Sequence, residues 1–75
     1  MFVKTYEVVI STKDTAAFAN LLSNLRIWFH MGDECAYYSD LDRRWVRPVK
    51  IVTTKAKLMK LCASTDMIIC HKFVD

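Results

Sequence analysis

Phe18-Ala19-Asn20-Leu21-Leu22-Ser23-Asn24-Leu25-Arg26-Ile27-Trp28-Phe29-His30-Met31-Gly32 is the stretch on which the fold turns. Phe18, Leu21, Leu22, Leu25, Trp28 and Phe29 fall at helical spacing, with Asn20, Ser23, Asn24 and Arg26 on the opposite face. That pattern predicts an amphipathic helix. Gly32, the single glycine, stands where a left-handed C-terminal cap would be needed, so the helix is expected to run from about Lys13 to Met31. The competing reading ends the helix near Asn24 and makes Arg26 to His30 extended, which opens a different α+β meander.

Working outward, Phe2 to Ile10 is rich in β-branched and aromatic residues with apolar side chains on both parities. It reads as a central strand. Ser11 to Thr15 supplies caps for the helix that follows. Downstream, Cys35 to Ser39 and Arg43 to Val52 read as a hairpin around Asp40-Leu41-Asp42. Pro48 cannot donate to a ladder and marks an edge or a bulge there. Thr53 or Thr54 caps a second helix reaching about Ala63, with Leu58, Leu61 and Cys62 inward, and Met67 to Val74 forms a last strand. The order strand, helix, strand, strand, helix, strand closes as a small α+β domain over residues 1–75. The expectation is a βαββαβ ferredoxin-like split, a four-stranded antiparallel sheet with both helices on one face.

The 75 residues hold 53% hydrophobic and 25% charged side chains. They suffice for one core, and the apolar content argues against disorder. A deep walled active site generally needs about 300 Å³ or more, which is much to ask of so short a chain. Neither a Gly-rich phosphate loop nor a recognisable pair of catalytic carboxylates is present, so no enzyme activity and no cofactor are expected. His30, Asp33, Glu34 and Cys35 cluster around Gly32, but their spacing matches no zinc pattern. Adjacent Cys70 and His71 point to opposite faces of a strand and make no nucleophile–base pair; Cys70 is expected in the core beside Ile68. Three cysteines without a CxxC spacing, no membrane-length apolar run and no signal-peptide pattern at Met1 point to a reduced, cytoplasmic protein.

The net charge of +3 conceals a division. Residues 1–42 sum to −3 and residues 43–75 to +6, with the change at Asp42-Arg43. At that boundary Tyr37, Tyr38, Arg43, Arg44, Trp45 and Arg47 combine the residue types that dominate binding hot spots. The same residues also have plain structural uses, as cross-strand aromatic pairs, edge-strand cations and surface ion pairs of Asp40 and Asp42 with Arg43 and Arg44. The functional expectation is a small non-enzymatic protein-binding regulator or inhibitor that occludes a partner protein, of the kind viruses and mobile elements deploy against host machinery. The six residues above are its contact face. A homodimer through the uncovered sheet face, by way of Val3 and Val9 or the opposite parity, is a further option. The alternative is a nucleic-acid binder using the basic C-terminal half. Against it stand the acidic first half and a strand, Arg44 to Val49, that carries a proline and no glycine. No membrane partner is expected.

Overall fold

The computed structural model describes residues 2–31 and 36–74. It is a small α+β fold, a five-stranded antiparallel sheet with two helices. The elements are β1 (Lys4–Ser11), a 3-10 turn (Thr12–Asp14), α1 (Thr15–Asn24), β2 (Trp28–His30), β3 (Tyr37–Ser39), β4 (Arg44–Thr53), α2 (Lys55–Ser64) and β5 (Ile68–Phe73). β1 lies between β4 and β5. Its central place follows from apolar side chains on both of its faces.

The long helix does not form. α1 stops at Asn24 because Arg26 adopts a left-handed conformation, φ 57°. The Ile27 amide then reaches back to the Leu22 carbonyl (2.9 Å) and the Arg26 amide to the Ser23 carbonyl (3.1 Å). These bonds satisfy the last carbonyls of a helix, and burial of Ile27 with Leu22 supplies the apolar contact that accompanies such an ending. Arginine therefore occupies the position expected of Gly32, which lies outside the described residues. Beyond the cap, Trp28, Phe29 and His30 extend and pair with β4 (Phe29 opposite Ile51). Phe29 packs against the core while Trp28 stays 62% exposed on the other face, so the helical spacing of the two was coincidental.

The expected count of four strands becomes five. β2 pairs with Lys50, Ile51 and Val52, and β3 with Arg44, Trp45 and Val46, both along the same side of β4. Among the described residues, no pairing with residues 47–49 is made on that side. Pro48, buried opposite Val9 of β1, lies between the β2 and β3 pairings. β4 itself runs unbroken for ten residues. At about 33 Å when extended, it sets the long dimension of the 37 × 23 × 21 Å molecule.

One core cluster joins Tyr6, Val8 and Ile10 of β1 and Val49 and Ile51 of β4 to Phe18 and Leu22 of α1 and Leu58 and Leu61 of α2. α2 is capped by Thr54, whose hydroxyl accepts the Lys57 amide (3.2 Å). The opposite face of the sheet is crossed by charge: His30, Lys50, Glu7 and Lys72 are successive cross-strand neighbours, and Lys72 Nζ lies 3.5 Å from Glu7 Oε1. Val9, proposed for a dimer contact on this face, is 9% exposed within the single chain. A register shift between Val9 and Ile10 places Ile68 opposite Ile10 but Cys70 opposite Val9. That irregularity breaks the alternation that would have put Cys70 in the core, and Cys70 is exposed. No helix among the described residues is long and apolar enough to cross a membrane.

Candidate functional site

The β3–β4 hairpin carries the six residues singled out by composition. Tyr37 lies opposite Val46, Tyr38 opposite Trp45 and Ser39 opposite Arg44. Residues 40–43 make the turn. Within it the Ser39 hydroxyl donates to Asp42 Oδ2 (2.8 Å) and accepts the Asp42 amide (3.2 Å). Asp42 therefore closes the turn through Ser39. Arg43, the last residue of the turn, is left-handed at φ 54°, which aims the chain back along β3. Leu41 at the tip is 98% exposed.

Alternation along the strands divides the six residues. Tyr38, Trp45 and Arg47 point toward the helix side, in step with Ile10 and Val49. Tyr37 and Arg44 point the other way, in step with Val46, and Arg43 lies in the turn. The hairpin thus presents a ridge with two flanks. On one flank Tyr38 and Trp45 meet edge to face, centroids 5.9 Å apart and planes at 76°, with Trp45 still 56% exposed. The Trp45 carbonyl accepts from Thr12 Oγ1 (3.5 Å), which fastens the hairpin to the turn before α1. Arg47 differs from the rest: it is half-buried, and its Nε is buried without a hydrogen-bond partner among the described residues.

Of the four residues around Gly32, only His30 is described; Asp33, Glu34 and Cys35 lie outside the described residues. His30 is stacked on Trp28, centroids 6.2 Å apart and planes at 13°. Among the described residues no group of His, Cys, Asp and Glu is gathered as a metal site. Cys70 and His71 stand opposite Val9 and Val8, on opposite faces as expected. Cys62 packs against the core, and burial pushes its thiol pKa up.

The sequence reading missed a concavity away from the hairpin. An open cleft of about 330 Å³ lies at the far end of β4, with Val3, Arg26, Trp28, Val52, Thr54 and Lys57 in its wall. These residues come from four separated parts of the chain, and Trp28 had been assigned to the helix, so no local pattern announces the site. Comparison of the chain with protein-family models, with curated proteins and with solved structures gave no match.

Proposed function

We propose that this chain is a non-enzymatic regulator or inhibitor that binds another protein through the β3–β4 hairpin and works by occlusion. The observation that carries the proposal is the Tyr38–Trp45 pair: two large aromatics fixed edge to face, yet about half exposed. Fixed aromatics lose little conformational entropy on binding and bring large contact area. The Ser39–Asp42 clasp and the Thr12 bond hold them in place before any partner arrives. Leu41 and Arg43 in the turn and Arg44 on the other flank add one apolar tip and two cations to the hairpin, a composition suited to an acidic partner surface. A face of about 800 Å² is enough for a standard complex, and the chain exposes 5246 Å² in all.

The strand order β2-β4-β1-β5, with β3 beside β4, supports a ferredoxin-like split in which β2 and β3 together take the edge position beside β4. Free Cys62 and Cys70 are in keeping with a reducing, cytoplasmic setting. The basic residues of the C-terminal half are divided among the hairpin, the outer side of α2 and the open sheet face, which favours a protein partner over a continuous phosphate track. The test is capture from the native cell with nuclease-treated controls, comparing the intact chain with Trp45→Ala and Arg44→Ala. The expected result is a protein partner retained at high salt and lost with Trp45→Ala. A partner held equally by all three chains, or binding that vanishes with nuclease, overturns the proposal.

A further inference from the structure

The cleft at the other end of β4 has the chemistry of an anion site with a flat apolar wall. Arg26 and Lys57 contribute two cations, and among the described residues no acidic side chain lines it. Trp28 and Val52 are cross-strand neighbours that form one side, and Val3 closes toward them. The Trp28 ring is held by its stack on His30. The Thr54 hydroxyl accepts the Lys57 amide and keeps its own hydrogen for an incoming acceptor. Arg26 adds a separate indication. It occupies a left-handed helix-ending position that glycine fills at lower cost, yet its side chain borders the cleft.

We infer that this cleft binds a phosphate monoester carried on a planar ring, the chemistry of a nucleoside monophosphate or of the phosphorylated end of a nucleic-acid strand. Two cations match a group of about −1.5 to −2 charge better than a single carboxylate. Arginine forks onto phosphate oxygens while lysine acts as a point charge. The indole and the valines receive the ring. At about 330 Å³ the cleft has room for a single ligand of this size. Val52 in its wall lies about 23 Å along β4 from Trp45 of the hairpin, so the cleft is separate from the protein-binding surface.

Trp28 reports on the site directly once Trp45 is replaced by Phe, which keeps an aromatic ring against Tyr38. The Trp45→Phe chain is titrated with adenosine monophosphate, adenosine, inorganic phosphate, and an oligonucleotide with and without a 5′-phosphate. The expected result is saturable quenching by the monophosphate, with adenosine and phosphate each about tenfold weaker or more. Arg26→Gly and Lys57→Ala should each weaken the monophosphate about tenfold, and Arg26→Gly suits the left-handed backbone, so loss of binding there is not loss of fold. A 5′-phosphorylated strand binding more tightly than the free nucleotide identifies a strand end as the source; the reverse identifies a free nucleotide. Adenosine or phosphate binding as well as the monophosphate, no saturable quenching by any probe, or no effect of the two substitutions overturns the inference.

Discussion

Replacing Arg26 by glycine should stabilise the protein, and the sign of the effect tests how α1 ends. At φ 57° the Arg26 Cβ crowds the following carbonyl, which costs an L-residue about 1–2 kcal/mol. Glycine removes that cost but gains freedom in the unfolded chain, returning about 0.4–1 kcal/mol. The net gain is about 0.5–1 kcal/mol, a rise in melting temperature of about 3–6 °C for a domain of this size. A helix continuing through residue 26 would reverse the sign, because glycine in a helix interior costs about 1 kcal/mol. Arg26→Ala is the control: it removes the same side chain but keeps the Cβ, and should stay within about 0.5 kcal/mol of the parent. Thermal and urea unfolding followed by circular dichroism give all three values. An Arg26→Gly protein less stable than the parent, or no more stable than Arg26→Ala, would refute the left-handed helix end and with it the pairing of Trp28 to His30 with β4.

Arg47→Met should raise stability by about 1 kcal/mol in the same unfolding assays, since it removes a buried Nε that has no partner among the described residues. A loss of stability would show that the guanidinium contributes more than its orphaned atom costs. Leu22→Ala deletes a core side chain that also anchors the helix end, and should cost about 3–4 kcal/mol, a large part of what a domain of this size possesses. A double-mutant cycle on Tyr38→Ala and Trp45→Ala should give a coupling of about 0.5–1.5 kcal/mol; a value near zero would mean that the rings are not held together before binding. In a Cys35→Ser background, an aromatic disulfide reagent should label exposed Cys70 ahead of Cys62, which packs against the core and whose thiol pKa burial pushes up. Equal rates would place Cys62 at the surface.

Periodicity was a sound guide wherever a segment ended on a chemical signal. Thr54 announces α2, and the apolar residues on both parities of β1 announce a central strand, whereas Pro48 points to an edge or bulge in β4, which lies inside the sheet. It misled at Leu25. Leucine, tryptophan and phenylalanine at offsets 7, 10 and 11 from Phe18 extend a helical stripe on paper, while the helix end depends on one φ angle that arginine does not advertise. The only local hint was the run Ile27-Trp28-Phe29, β-branched then aromatic, which favours extended backbone. Cys70 failed for a related reason: a single register shift reverses the face of every later residue, and nothing in Ile68-Ile69-Cys70 marks it. The hairpin residues were legible as a group because their types are unusual together, but not their division into two flanks, which needs the register.

The charge division is the clearest case of a sequence pattern that folding dissolves. An acidic first half and a basic second half would produce two poles if the halves packed side by side. Instead β4, from the basic half, lies between β2 and β1, and β5 flanks β1 on the other side. Glu7 consequently stands between Lys50 and Lys72, and the opposing charges meet as cross-strand neighbours. Long-range attraction by half of the molecule is thereby largely cancelled within a Debye length of about 8–10 Å. On the proposed readings, recognition would rest on local groups that escape this pairing by geometry: the arginines and aromatics carried out on the hairpin, and Arg26 with Lys57 at the opposite end of the same strand. Raising the salt should weaken the cleft, whose ligand is held by charge, more than the hairpin, whose anchor is an aromatic pair, so the salt dependence of the two binding events separates the two ends of β4.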